Sequence, residues 1–233
     1  MKRSNIACIS CKNEICFIKT NSSEKQLAEI AKNKMMQQYK KHQQVFYEGN
    51  ISDSVYFIYA GTVKVFKTGA FNRDHVIRLS VVGDILGHRG IISEGVYPVS
   101  AQTLEPTVIC QFTKEYFLSL LHEIPQLAIS LMMFYGNELN YEESKLRDMS
   151  LFNVREKVAK ALLILIERFG LDDNNAIINA NLLTRQDIAE CVGISSNQVT
   201  KVLADFKQEK LISLTAKNIV ILNQDGILDI VAI

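Results

Sequence analysis

The 233-residue sequence predicts an α+β chain in three main parts: an antiparallel β-roll, one long helix, and a C-terminal winged helix-turn-helix. Three observations predict it. Between Gln44 and Phe112 the apolar residues come in short, β-rich bursts separated by glycines. After Phe112 the spacing becomes helical and stays so for most of the remaining chain. Between Thr184 and Gln198 two helix-start signals follow each other with a glycine between them.

Residues 1–22 form a segment of their own, with Cys8, Cys11 and Cys16 in a Cys-x2-Cys-x4-Cys spacing. Ser23 to Lys34, SEKQLAEIAKNK, is a short amphipathic helix with Leu27, Ile30 and Ala31 on one side. The bursts VFYEG, SVYFIYAGTVKVFK, HVIRLSVVGDILG and VSAQTLEPTVICQF follow, punctuated by Gly49, Gly61, Gly69, Gly83, Gly87 and Gly95. Strands of this length with glycine turns predict a small antiparallel barrel or roll, and residues 23–124 are assigned to it. Thr113 caps a short helix that ends near Leu121.

Pro125 sits where proline is favoured, in the first turn of a helix that runs to about Met149; residues 125–150 are assigned to it. Met132, Leu139 and Leu146 repeat every seven residues, and Ala128, Tyr135, Glu142 and Met149 repeat in the offset position. That pattern is an a/d seam and predicts a parallel homodimer. The competing reading packs the helix on its own roll. Asn137, Glu138, Asn140, Glu143, Ser144 and Lys145 read as an otherwise solvated surface.

Residues 151–233 form the last domain. Asn153 to Phe169 is a helix, LDDNNAIINA an acidic loop, and LISLTAKNIVIL a hairpin turning near Ala216 to Asn218 with Lys217 at its tip, placed to meet phosphate. Between them, Thr184 caps a helix with Asp187 in the acidic position of a capping box, and Leu183 with Ile188 makes a hydrophobic staple. Gly193 stops that helix. Ser195 and Gln198 repeat the box, and Ile194 with Val199 the staple. Val199, Val202, Leu203 and Phe206 then face inward, leaving Ser196, Asn197, Thr200, Lys201 and Ala204 outward. A helix front of short, hydrogen-bonding side chains suits the major groove of double-stranded DNA. Arg185, Ser195, Ser196, Asn197, Thr200, Lys201 and Lys217 are the expected DNA contacts. A buried core hairpin would have no use for so polar an outer face.

Net charge is only +1, and from Leu151 onward nine Lys/Arg face ten Asp/Glu. Affinity for DNA must therefore come from local placement of Arg185, Lys201, Lys207, Lys210 and Lys217 rather than from a global field. No apolar run is long enough to span a bilayer, and MKRSNIACISCK lacks the apolar core of a signal peptide. The expectation is a cytoplasmic protein with no membrane partner, its five cysteines reduced. No Ser-His-Asp set, phosphate-binding glycine loop or catalytically spaced carboxylate pair is present, so no enzymatic activity is expected. His42, His75 and His122 read as isolated surface residues, and Cys191 as core.

In this order, with GDILGHRGII in the roll, LEPTVICQF at its end and LTRQDIAECVGISSNQVTKVLADFKQEKLI near the C-terminus, the chain resembles the CRP/FNR family of bacterial transcription regulators. The resemblance implies a cyclic-nucleotide-binding-type β-roll, a dimerisation helix, a two-fold DNA site and contact with RNA polymerase. Cyclic-AMP-binding members carry a Gly-Glu pair for the ribose and an Arg-Ser pair for the cyclic phosphate. Here the matching positions hold Gly87-His88 and Pro98-Val99, so cyclic AMP is not the expected effector. Arg78 and Arg89 are nearby in sequence, but nothing in the sequence places them in the pocket. Where many members read bases with a glutamate and an arginine, this chain has Asn197 and Lys201, which implies a different half-site.

The cysteines resemble those of the FNR branch, which holds a [4Fe–4S] cluster on three N-terminal cysteines and one at the end of the roll. By that resemblance Cys8, Cys11, Cys16 and Cys110 are the ligands, although the branch's usual last gap is one residue longer. Zinc, a redox dithiol or no role at all remain open on the residues alone. A second function of a different class also stands: a cyclic-nucleotide-type sensor or interaction module whose helical C-terminus binds protein rather than DNA.

Overall fold

The computed structural model describes residues 6–70, 73–92, 95–215 and 218–231. Two compact units emerge: Met1–Thr68 with Arg78–Asn140, and Gly69–Ile77 with Tyr141–Ile233.

The roll is built from two four-stranded sheets. One orders β1 (Met35–Tyr39), β8 (Thr107–Thr113), β3 (Ser54–Ala60) and β6 (Ile85–Leu86) side by side; the other orders β2 (Gln44–Phe46), β7 (Ser100–Thr103), β4 (Val63–Thr68) and β5 (Asp74–Ser80). The pairings with resolved register are antiparallel, with Cys110 of β8 opposite Met36 on one side and Phe57 on the other. β3 reads SVYFIYA, aromatic and β-branched residues that fill a pleated, buried surface, and its first five residues are buried. β1, MMQQY, carries no such signal; it is a strand because β8 supplies a partner along its whole length. Gly61 joins β3 to β4 at φ +99°, and a Cβ there would lie 2.4 Å from the Thr107 hydroxyl oxygen, so only glycine fits that turn.

Short helices flank the roll: α1 (Phe17–Thr20), α2 (Glu24–Ile30), α3 (His88–Ile92) and α4 (Lys114–Glu123). Ser23 and Gln26 close a capping box on α2, which gives way to a 3-10 turn at Ala31–Asn33. Thr113 caps α4. The core under them joins Ile18, Leu27 and Ile30 to Val55, Phe57, Ile85, Phe112 and Phe117, and takes in Leu127 and Leu131 of α5 (Pro125–Leu151).

In the second unit α6 (Val154–Phe169) begins on an Asn153–Glu156 capping box. α7 (Arg185–Val192) and α8 (Ser196–Gln208) form the helix-turn-helix, and β9 (Ile212–Leu214) pairs antiparallel with β10 (Ile219–Ile221) as the wing. The acidic stretch after α6 is more than a loop. Asp172 accepts the amides of Asn174 and Ala176 in a tight turn, and Ala176 bridges to Val220, extending the wing. A final helix, α9 (Gln224–Val231), was not foreseen from sequence.

Candidate nucleic-acid interface and sensor site

Both start signals of the helix-turn-helix form as capping boxes. The Thr184 hydroxyl accepts the Asp187 amide at 3.1 Å while the Asp187 carboxylate accepts the Thr184 amide at 2.9 Å. Ser195 and Gln198 do the same at 3.3 and 2.9 Å. Between them Gly193 takes the left-handed conformation, φ 67° and ψ 39°, that ends α7. Each box satisfies amides that a helix start leaves open, so the turn is fixed locally and α8 leaves it in one direction.

Val199, Val202, Leu203 and Phe206 of α8 are buried. Asn197, Thr200, Lys201 and Ala204 are exposed, and Ser196 is half-buried. The Thr200 hydroxyl donates to the Ser196 carbonyl at 2.9 Å, which leaves its lone pairs outward. Ser195 is exposed but its hydroxyl is engaged in the cap. Arg185 opens α7 half-buried, and that burial lowers its pKa from the usual guanidinium value. Lys217, the expected wing-tip contact, lies outside the described residues. At the far end of α8, Arg155 stacks its guanidinium 4.7 Å from the Phe206 ring centre and bonds Glu209 at 2.7 Å.

The long helix exposes an apolar stripe: Ile129, Met132, Met133, Leu139 and Leu146 are 46%, 65%, 66%, 60% and 68% exposed, unusual for residues of this kind on one helix. Gly136 lies within the stripe with open space beside it. The other half of the expected seam is turned toward its own chain. Tyr135 donates its hydroxyl to the His88 carbonyl at 2.8 Å, Met149 packs against Gly193, and Glu142 is half-buried. The stripe is thus displaced around the helix from the offset heptad row.

Glu138 departs most from the sequence reading. It is not on a solvated face: its side chain is 14% exposed and takes three partners. Arg78 donates to it at 2.7 Å, His88 lies at 2.9 Å and Arg89 at 3.3 Å. Burial alone would raise its pKa, but the hydrogen bond from His88 and the charges of Arg78 and Arg89 outweigh it and hold the carboxyl down at about 2. Burial lowers the pKa of His88 against the opposing pull of Glu138. The spacing Leu127, Leu131, Phe134, Glu138 was the available signal, because it continues the buried face of the helix. His75, read as surface, is half-buried, and burial lowers its pKa.

The four cysteines named for a cluster come together. Cys8, Cys16 and Cys110 pack half-buried against the apolar core, and Cys110 lies within electrostatic range of Cys16, Cys8 and Cys11. Burial pushes the Cys8 and Cys16 thiols up, and the Cys110 thiol up to about 12. Lys34, also missed from sequence, is buried beside them; it donates to the Ile6 carbonyl and its charge opposes the rise at Cys8 and Cys110. Among the described residues no three His, Cys, Asp or Glu side chains close on one point as a single metal ion needs. A four-iron cluster asks for something different, four separated thiolates each on its own iron, and an all-sulfur donor set suits it. Cys191 is buried in α7.

At the positions matching the cyclic-nucleotide contacts, Val99 is buried and the Tyr97 ring stacks on Phe46 at 4.2 Å. The Tyr97 hydroxyl donates to the Ser54 carbonyl at 3.0 Å.

Residues 36–123 match the family model of the cyclic nucleotide-binding domain and residues 156–230 that of the Crp-like helix-turn-helix domain, together well over half of the chain. The Fumarate and nitrate reduction regulatory protein of Vibrio cholerae is 26% identical over 98% of this chain and 91% of its own length. The CRP-like cAMP-activated global transcriptional regulator of Mycobacterium tuberculosis is 29% identical over 76% of this chain and 79% of its own. The transcriptional activator protein Anr of Pseudomonas protegens is 28% identical over 79% and 75%. Among solved structures, FixK2 from Bradyrhizobium japonicum superposes with a TM-score of 0.77 at 20% identity, over 86% of this chain and 98% of that one. A CooA variant from Carboxydothermus hydrogenoformans does so with 0.75 at 17%, over 99% and 98%.

Proposed function

Because the chain belongs to the CRP/FNR family and is a DNA-binding transcription regulator, we propose that it acts as a homodimer on a two-fold operator, with Asn197, Thr200 and Lys201 of α8 reading base edges. The observation that carries this reading is the exposed polar front of α8 on a doubly capped turn. Asn pairs bidentately with adenine and Lys with guanine, and half-sites about one helical turn apart match a two-fold dimer. The stripe from Ile129 to Leu146 is the proposed dimer face, and RNA polymerase a proposed partner in the cytoplasm. A helical module that binds only protein gives no reason for the Crp-like match over residues 156–230.

We further infer that the chain senses through Cys8, Cys11, Cys16 and Cys110, which would hold a [4Fe–4S] cluster as in the FNR branch. Support comes from the convergence of these thiols at β8 and from relatives named as fumarate and nitrate reduction regulator and Anr. The cluster, when bound, supplies reactivity toward oxygen. The chain's own part is to fasten residues 8–16 to the strand that leads through α4 into α5. Cyclic AMP is not the proposed effector: Pro98 and Val99 offer no cationic clamp, and both nearby arginines hold Glu138. The experiment is anaerobic reconstitution with iron and sulfide counts, and DNA binding before and after air. Iron uptake that alters neither dimer mass nor DNA affinity contradicts the sensory part and leaves the DNA-binding part standing.

A further inference from the structure

Glu138 is one carboxylate with three nitrogen donors around it, from two places in the roll. Arg78 belongs to β5, and His88 and Arg89 open α3. Arg78 is itself aimed: its Nε donates to the Ser80 hydroxyl at 3.0 Å and one terminal nitrogen to the Ile85 carbonyl at 2.7 Å, leaving the other for Glu138 at 2.7 Å. Its guanidinium also lies 5.9 Å from the Phe134 ring centre. The His88 ring stands edge-on to Phe134 at 5.2 Å, and its backbone carbonyl takes the Tyr135 hydroxyl. These contacts orient Arg78 and His88 without help from the carboxylate.

His88 strengthens the case. The side chain is 3% exposed, and its Nδ1 is buried with no hydrogen-bond partner. An ionised carboxylate only accepts, so the ring must carry its proton on Nε2 to bond Glu138, which leaves Nδ1 as a bare buried acceptor. A ring that wanted only to be satisfied would sit otherwise. The arrangement gives up one polar atom to present one N–H to an anion.

We propose that Arg78, His88 and Arg89 form a carboxylate-binding site in the roll, and that Glu138 of α5 is its built-in ligand. Small carboxylates such as formate or acetate are the class the site takes when Glu138 is absent. The donors belong to the roll and the ligand to the long helix, so occupancy tethers the Phe134–Glu138 turn to the roll with no diffusible effector. The site is independent of the cysteines and of what they bind.

The test replaces the ligand. In Glu138→Ala the site is vacated, and the full-length protein is melted across a series of sodium formate concentrations, with sodium chloride at equal ionic strength as control. The expected result is a saturable, formate-specific rise in melting temperature in the variant, and no such rise in wild type. Hydrogen exchange adds a readout that a local charge effect would not give. Amides from Phe134 to Asn140 should exchange faster in the variant and stay fast in formate, because free formate fills the site without tethering the helix. Equal responses to the two salts, or the same formate response in wild type, overturn the proposal, as does unchanged exchange. If the variant does not fold, refolding yield is compared in the two salts. A yield raised by formate alone supports the site; an equal yield, including none in either, overturns it.

Discussion

The Glu138 carboxylate lies 2.9 Å from Nε2 of His88, joining the long helix to the start of α3 through two side chains that are both largely withdrawn from water. Its consequence is acid sensitivity. The Glu138 pKa falls from 4.5 to about 2 on folding, so its contribution is complete above pH 4.5 and is lost as pH drops toward 2. At the usual conversion that contribution is about 3 kcal/mol. His88, lowered from 6.5, acts in the same direction, because acidification favours the unfolded state, where the ring is free to protonate. Stability should therefore begin to fall below pH 6.5 and fall faster below 4.5. Glu138→Gln should flatten the lower part of that curve in urea unfolding followed against pH; an unchanged curve would mean that the carboxylate is not held ionised.

The exposed stripe makes a sharper dimer prediction than the heptad count did. Leu139→Asp with Leu146→Asp places four charges in the paired interface, and sedimentation should show monomers. Tyr135→Phe should leave the dimer intact, because that hydroxyl serves His88. A dimer that survives the double aspartate variant puts its interface elsewhere.

Capping sets the geometry of the helix-turn-helix. Thr184→Ala removes the hydroxyl that accepts the Asp187 amide and should cost about 1 kcal/mol of stability, readable in thermal unfolding. Gly193→Ala should cost a similar amount, roughly 1 kcal/mol, since alanine is strained at φ 67°. The flexible tip of Met149, 2.9 Å from the added Cβ, can move aside.

How much of this was legible depended on whether the signal was local. Caps, glycine turns and the inner face of α8 are local chemistry, and the sequence reading of Thr184 to Phe206 matches the structure in its two caps, its Gly193 stop and its buried face, while Ser196, read as outward, is half-buried. β1 was invisible because its strand character comes from β8, far along the chain. Glu138 was misread because its partners are about fifty or more residues away, and a glutamate in a helix is ordinarily solvated. Lys34 was passed over for the same reason: nothing beside it in sequence announces a buried ammonium among thiols.

For the cysteines, anaerobic reconstitution should load the wild-type protein, while Cys110→Ser and Cys11→Ser each abolish uptake and Cys191→Ser does not. Iron and sulfide analysis decides it. Equal uptake by all four proteins would remove Cys110 from the ligand set.

Base reading by α8 is tested most directly by selecting bound duplexes from a randomised library with wild-type and Lys201→Ala protein and sequencing both pools. Wild type should enrich a two-fold site with half-sites about one helical turn apart. Lys201→Ala should bind it more weakly by roughly 1–3 kcal/mol and lose preference at one position per half-site. Identical enriched sites and affinities for the two proteins, or no enrichment by wild type, would contradict the assignment of α8 as the reading helix.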